Sequence, residues 1–101
     1  METVIYGVLK EEKQRNIEMQ EAYTKELESL RKGSISKKVI SGKTYYYLKY
    51  RDGNKIKNDY LGKSDFDVDS VKKELEHRKY LQGVLKRLKA EYRQICTIVK
   101  E

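Results

Sequence analysis

The residues of this sequence best suited to chemistry lie in "KTYYYLKYRDGNKIKNDYLGK", from Lys43 to Lys63, which holds five of the nine tyrosines. Basic side chains neutralise phosphates and release counterions, and tyrosine rings contact sugars or stack on unpaired bases. Residues 34–63 carry eight lysines and arginines against two aspartates, a net charge of +6, and the whole chain carries +7. This concentration of positive charge predicts an anionic partner, of which nucleic acid is the commonest kind.

No set of residues has the types and spacing of a catalytic or metal site. His77 is the sole histidine and Cys96 the sole cysteine, so they cannot form a thiolate–imidazole zinc cluster. Asp65, Asp67 and Asp69 lack the glycine and the glutamate that complete a calcium loop, and helix capping explains them better. We therefore expect a protein that is not an enzyme and that holds no metal and no cofactor.

The basic stretch must be positioned by the elements around it, and a helix is predicted before it over residues 8–31. Strong helix formers dominate this segment. Seven residues share one heptad register, in chain order Leu9, Lys13, Asn16, Gln20, Tyr23, Leu27 and Leu30. The polar members all lie between Leu9 and Tyr23, so the apolar pattern is clear only near the end of the helix, which Gly33 terminates.

Residues 34–62 are predicted to form a three-stranded antiparallel sheet. The strand segments alternate or are rich in aromatic residues, and Ser41-Gly42 has the composition of a two-residue hairpin loop. The second loop decides which side chains share a face. A two-residue loop would place Lys55 and Lys57 beside Leu48, so we expect a three-residue loop, 52–54, with Asn54 in the left-handed conformation.

The three-residue loop would separate apolar from basic side chains. One face, which we expect to pack on helix, would carry Ile35, Val39, Tyr46, Leu48, Tyr50, Ile56, Asn58 and Tyr60. The opposite face would carry the predicted binding site for nucleic acid or another partner, formed by Lys38, Tyr45, Tyr47, Lys49, Arg51, Lys55 and Lys57. The alternative explanation is that Tyr45 and Tyr47 are only cross-strand packing partners on an exposed surface.

A second, longer helix is predicted over residues 64–99, capped by Ser64, Asp67 or Asp69. Apolar residues spaced 4, 3, 4, 3, 4 form a heptad seam of Leu81, Leu85, Leu88, Tyr92, Ile95 and Val99. The simplest architecture is a single α+β domain over residues 1–101, in which an antiparallel, coiled-coil-like helical hairpin carries the three-stranded sheet as an insertion. The polar register positions of the first helix would leave part of the seam uncovered, which predicts a homodimer through residues 81–99.

The composition limits the class of protein. Apolar residues make up 38% of the chain and charged residues 39%, which leaves material for a thin core of the kind that long helices build. No segment approaches the ~18 consecutive apolar residues of a membrane span, and the run "VIYGVL" lacks the features of a signal peptide. A single cysteine excludes an internal disulfide and favours a reducing, cytoplasmic location.

Residues 33–92 resemble a family of small, uncharacterised prokaryotic and phage proteins. The shared motifs are the Gly-Ser-Ile start at 33–35, the Tyr-Tyr-Tyr-Leu strand at 45–48, the Tyr-Arg hairpin at 50–51, the Tyr-Leu-Gly-Lys end at 60–63 and the heptad helix. Many members have a proline where this chain has Lys32, and the usual second hairpin glycine is Asn54 here. In architecture alone, the basic sheet also resembles the arm-binding domains of phage and transposon integrases.

The resemblance implies a mobile genetic element, and three functions are then open. The first is a non-enzymatic protein that binds DNA or RNA through the basic sheet face. The second is an inhibitor of the anti-CRISPR type, which binds a host RNA-guided nuclease or its guide RNA. The third is a coiled-coil dimerisation module. Free nucleic acid distinguishes them, because only the first function requires the chain to bind it alone.

Overall fold

The computed structural model describes residues 3–100 and contains two helices, with an antiparallel three-stranded sheet between them in the chain. In order, the elements are α1 (Val4–Glu28), β1 (Ser34–Ile40), β2 (Lys43–Asp52), β3 (Lys55–Lys63) and α2 (Val68–Ile98). The predicted α+β class is confirmed. The chain divides into two compact units, of which one joins the residues before Leu30 to those after Arg78 and the other is Leu30–Arg78.

Capping residues explain why the helices begin at other residues than predicted. Helix α1 begins before residue 8 because Thr3 Oγ1 accepts a hydrogen bond from the backbone N–H of Tyr6 at 3.1 Å. Helix α2 begins at Val68 instead of residue 64. Asp67, one of the three predicted caps, accepts there from the backbone N–H of Ser70 at 3.3 Å. Neither helix, within the residues that the structure describes, has an apolar stretch long enough to cross a membrane.

In the first unit, the predicted register of α1 is its inward-facing stripe. All of its members from Leu9 to Leu27 are buried or half-buried, polar ones included. Asn16 Nδ2 donates to the carbonyl oxygen of Leu88 at 2.9 Å, and Lys13 Nζ lies 5.9 Å from the ring centre of Tyr92. Asn16 follows Lys13 in α1, whereas its partner Leu88 precedes Tyr92 in α2. The two helical segments therefore pack antiparallel.

The heptad seam of α2 is covered within the same chain. Leu81 and Val99 are each 1% exposed, Leu85 and Leu88 are buried, and the seam's other two members are half-buried. A seam left partly open was the premise of the predicted dimer, and most of this premise fails, because only Tyr92 and Ile95 keep partial exposure. Two polar register residues of α1 contact the seam: Asn16 hydrogen-bonds Leu88, and Lys13 lies over the ring of Tyr92. Association of two chains stays a prediction, but an uncovered seam no longer supports it.

In the second unit, the sheet has the strand order β1-β2-β3. Ile40 pairs with Lys43, so Ser41 and Gly42 form the predicted two-residue loop. Their φ angles of 52° and 77° are both positive, as a type I′ turn requires. The first hairpin of the sheet is thus as predicted.

The predicted length of the second hairpin loop is wrong. Asp52 pairs with Lys55, which leaves Gly53-Asn54 as a two-residue loop. Gly53, with φ 61°, takes the positive angle, and Asn54 does not. Glycine adopts this conformation without the steric cost that even asparagine incurs, and glycine at the first central position is typical of a type II′ turn.

The shorter loop reverses the faces assigned to β3. Two lysines predicted on the binding face, Lys55 and Lys57, share a face with Leu48, and Ile56, Asn58 and Tyr60 lie on the opposite one. No lysine is buried by this exchange, because β3 is exposed from Lys55 to Tyr60. Lys57 Nζ also lies 2.7 Å from Asp52 Oδ2.

The face bearing Leu48 is the one that packs against the start of α2. Leu48 is 6% exposed, and Ile35 of the same face lines a hollow together with Leu75 of α2. Near the end of β3 the register shifts, so that Tyr46 pairs with Gly62. A Cβ atom on Gly62 would lie 2.7 Å from Phe66 Cβ, so this close approach requires glycine.

Candidate functional site

The sheet face opposite Leu48 gathers positive charge and aromatic rings, and we call it the basic face. By strand register, its residues are Ser34, Ser36, Lys38 and Ile40 of β1, Lys43, Tyr45, Tyr47, Lys49 and Arg51 of β2, and Ile56, Asn58, Tyr60 and Lys63 of β3. Five of these residues are cationic and none is acidic. An anion that approaches the basic face therefore meets no opposing carboxylate from the strands themselves.

Both aspartates of the strands lie on the other face, where each has a partner. Asp52 pairs with Lys57, as described, and Asp59 lies opposite Leu48 in the register. A side-chain hydrogen bond with Asp59, together with burial, raises the pKa of the Tyr50 hydroxyl. A three-residue loop would have set Asp59 opposite Tyr47, so the two-residue loop is what removes negative charge from the basic face.

Three tyrosines form a cluster at the centre of the basic face. The ring centre of Tyr60 lies 5.5 Å from that of Tyr47 and 6.4 Å from that of Tyr45, with the planes tilted by 57° and 49°. Lys38 Nζ lies 4.9 Å from the ring centre of Tyr47, a cation–π contact. Tyr45 and Tyr47 are half-buried, whereas Tyr60 is 54% exposed. Tyr60 is thus the most accessible ring of the cluster.

The register arranges the basic face in rows that cross the three strands. The rows, in order along β2, are Lys38-Tyr45-Lys63, Ser36-Tyr47-Tyr60 and Ser34-Lys49-Asn58, with Lys43 before them and Arg51 after them. Cations therefore lie on both sides of the aromatic row. At about 3.4 Å per residue, the β2 side chains from Lys43 to Arg51 span about 27 Å. That length accommodates a polyanion in an extended conformation.

Five of the seven predicted site residues are brought together on the basic face. They are Lys38, Tyr45, Tyr47, Lys49 and Arg51. Lys55 and Lys57 are not among them, because the two-residue loop places them on the face of Leu48.

Three charged or aromatic members of the basic face were not predicted from the sequence: Lys43, Tyr60 and Lys63. Continuing the alternation of β2 by one step back from Tyr45 finds Lys43. Tyr60 requires the correct loop length, and Lys63 requires the register shift between Tyr46 and Tyr47, which no residue type announces.

The other residues considered for chemistry are not assembled into a site. Over residues 3–100, no group of three or more histidine, cysteine and acidic side chains is placed to hold a metal ion. His77 is exposed on α2 and Cys96 is half-buried near its end. The expectation that the protein is not an enzyme stays a prediction.

Comparison with known proteins found one family. A family profile described as a domain of unknown function (DUF6788) matches residues 9–73, which is well over half of the chain. The match includes most of α1, the whole sheet and the first turns of α2. Neither the curated proteins nor the solved structures gave a match. The family match agrees with the predicted resemblance to uncharacterised proteins.

Proposed function

The chain belongs to the family of the domain of unknown function DUF6788, and because that description names no activity, we propose from the basic face that it binds nucleic acid and catalyses no reaction. One observation carries the proposal: five cations surround three clustered tyrosines on a sheet face without a carboxylate. Lysines that only maintain solubility would be interspersed with acidic residues. Here the acidic residues of the strands are confined to the opposite face.

The charged, polar and aromatic side chains of the basic face each have a role in this function. Lys49 and Arg51 are exposed and can neutralise phosphates, the arginine with two parallel hydrogen bonds. Ser34, Ser36 and Asn58 can donate to phosphate or sugar oxygens without reading sequence. The tyrosines supply apolar ring surface for sugars and bases. The combination favours contact with a backbone over recognition of a base sequence.

The biological setting of the proposal comes from the sequence. The resemblance implies a phage or other mobile genetic element, with a likeness of the sheet to integrase arm-binding domains. The single cysteine favours a cytoplasmic location, and the basic stretch favours a DNA or RNA partner. The anti-CRISPR-type inhibitor and the dimerisation module stay predictions, since no contact within residues 3–100 favours either one.

The register supplies a matched pair of variants for the test. Lys49→Gln with Arg51→Gln removes two charges from the basic face, and Lys55→Gln with Lys57→Gln removes two from the opposite face of the same hairpin. We expect only the first pair to weaken binding, with the slope of log affinity against log salt reduced by about 2 on duplex DNA. Fluorescence anisotropy with labelled single-stranded and duplex DNA and RNA measures both quantities.

Two results would contradict the proposal. Equal losses from the two variant pairs would show that net charge, and not the basic face, determines the affinity. No binding of any of the four nucleic acids by the unmodified protein at low salt would reject the function itself. Thermal melts of all variants establish that a loss of binding is not a loss of fold.

A further inference from the structure

We propose that Tyr60 is a stacking platform for an unpaired base, so that the basic face binds single-stranded in preference to duplex nucleic acid. The inference rests on the proposed function and adds to it the strandedness of the ligand and the residue that selects it. The predicted three-residue loop assigns Tyr60 to the opposite face of the sheet. Only the observed pairing of Tyr47 with Tyr60 brings it into the cluster.

The surroundings of Tyr60 suit a platform better than those of its two neighbours. Lys38 Nζ lies over the ring of Tyr47, so a cation of the chain itself occupies that ring's face. Tyr45 and Tyr47 approach Tyr60 with tilted planes instead of stacking on it in parallel. Tyr60 keeps 54% of its surface exposed. Its ring is therefore held by two aromatic contacts and still offers area to a ligand, which lowers the entropic cost of binding.

Stacking distinguishes single strands from duplexes. In a duplex each base is stacked on its neighbours, and a side chain reaches only base edges, sugars and phosphates. An unpaired base has a free ring face, and aromatic side chains bind such faces with little regard to sequence. A cluster of rings with cations before and after it along the strands therefore favours a ligand with unpaired bases.

The cations are placed to hold the phosphates on either side of the stacked base. Lys38 and Lys63 lie in the row before Tyr60, and Lys49 lies in the row after it. A strand that runs along β2 would pass from one row to the other with its base on Tyr60. Attraction to phosphate and stacking of the base then act at neighbouring positions, and the two can be measured separately.

The test compares four probes of about 12 nucleotides, a length within the range that single-strand-binding modules cover. They are oligothymidylate, oligouridylate, an abasic oligonucleotide of equal charge and a DNA duplex. For Tyr60→Ala we expect affinity for the two single strands to fall about 5- to 150-fold, with Tyr60→Phe within about 2-fold of the unmodified protein. The affinity for the abasic oligonucleotide should be the same in Tyr60→Ala, Tyr60→Phe and the unmodified protein, and so should the affinity for the duplex. The oligothymidylate and oligouridylate arms show whether DNA or RNA is preferred.

Two further variants make the comparison specific. Tyr80→Ala removes a tyrosine of similar exposure, 60%, from α2 and should leave all four affinities unchanged. Tyr60→Leu keeps an apolar side chain on the strand but has no ring to stack. It therefore serves in place of Tyr60→Ala if the alanine variant does not fold. Its single-strand affinity should fall as that of Tyr60→Ala does.

The outcomes separate this inference from the proposed function. If Tyr60→Ala binds single strands as the unmodified protein does, or if the abasic probe binds as tightly as oligothymidylate, the stacking platform is refuted while nucleic-acid binding stands. If none of the four probes binds to the unmodified protein, both are refuted together.

Discussion

The side-chain amide nitrogen of Asn16 lies 2.9 Å from the main-chain oxygen of Leu88, and this hydrogen bond joins α1 to α2 in the first unit. Asn16 is 5% exposed, and its Oδ1 accepts a second hydrogen bond from Gln20 Nε2 at 2.6 Å. A buried amide with its polar atoms satisfied costs little stability, whereas an unsatisfied one is expensive. A polar residue at a single seam position also fixes the alignment of packed helices. We infer that Asn16 sets the alignment of these two segments.

The Asn16 bond gives the first prediction. Asn16→Ala should lower the free energy of unfolding by about 1–3 kcal/mol, because it removes two hydrogen bonds and leaves a gap in the seam. Gln20→Ala should lower the free energy of unfolding by less. Gln20 is half-buried, so water can replace the hydrogen bond that its amide donates to Asn16. Urea denaturation followed by circular dichroism measures both. If the two losses are equal, Asn16 has no special place in the seam.

Two glycines with opposite surroundings give the second prediction. A methyl group on Gly83 of α2 would meet no atom within 4 Å apart from its own helix backbone, so Gly83→Ala should stabilise the protein by about 0.5–1 kcal/mol. Gly62→Ala should destabilise it by about 1–3 kcal/mol, because the new methyl group would overlap Phe66. Thermal melts of the two proteins should shift in opposite directions. A stabilising shift for Gly62→Ala would contradict the close packing of Gly62 on Phe66, and a destabilising shift for Gly83→Ala would contradict the open space at Gly83.

The two sheet faces give the third prediction. Leu48 is buried and Lys49, its neighbour in the chain, is exposed. Leu48→Ala should therefore destabilise the protein by about 2–5 kcal/mol, and Lys49→Ala should change stability by no more than about 0.5 kcal/mol. Chemical denaturation of the two variants measures the difference. Equal losses would mean that β2 does not alternate between a packed and a solvated face.

The outcomes for the individual elements show which parts of the structure follow from the sequence. Helix α2 and the Ser41-Gly42 hairpin follow directly, because heptad spacing and turn composition are local signals. The length of the second loop does not, since Gly53 and Asn54 both permit positive φ and only the separation of apolar from basic side chains favours three residues. That criterion assumes a hairpin packed along its full length. Near the loop β3 is exposed, so Lys57 is accommodated on the face of Leu48 by pairing with Asp52.

The candidate site depends on the same long-range choice. The alternation of β2 predicts that Tyr45, Tyr47, Lys49 and Arg51 share a face, whatever the loop. The contribution of β3 changes completely with one residue of loop length, which is why the predicted site lacks Tyr60 and includes Lys55. In the same way, the sequence predicts the register of α1. It does not predict that a polar residue of this register packs on the seam, because this depends on the two hydrogen bonds that Asn16 makes.

The hydrogen bond between Tyr50 and Asp59 gives the fourth prediction, a pH dependence. The neutral phenol is the form that hydrogen-bonds the carboxylate, so the folded-state pKa of Tyr50 is raised above its unfolded value of about 10. The contribution of this hydrogen bond to stability is complete below about pH 10 and is lost as the pH rises through the folded-state pKa of Tyr50. Tyr50→Phe should therefore lose stability less steeply above about pH 10 than the unmodified protein does.

Denaturant midpoints across the alkaline range measure this effect, and the other tyrosines cancel in the difference. Asp59→Asn is the control, since without the carboxylate the pKa of Tyr50 should fall back toward its ordinary value. The absorbance of tyrosinate against pH should then show one fewer late-titrating group in both variants. Identical alkaline profiles for all three proteins would mean that the hydrogen bond does not persist in solution.

The salt dependence of binding gives the last prediction. The net charge of residues 34–63 suggests about six phosphate contacts, whereas the basic face has five cations. Five contacts give a log–log slope of about −4.5 on duplex DNA and about −3.5 on single strands, because single strands release fewer counterions per phosphate. Lys55→Gln with Lys57→Gln should leave both slopes unchanged, and Tyr60→Ala should lower single-strand affinity at every salt concentration without altering the slope. Anisotropy titrations between dilute and physiological salt measure these values. An affinity that does not respond to salt would show that the cations of the basic face do not contact phosphates.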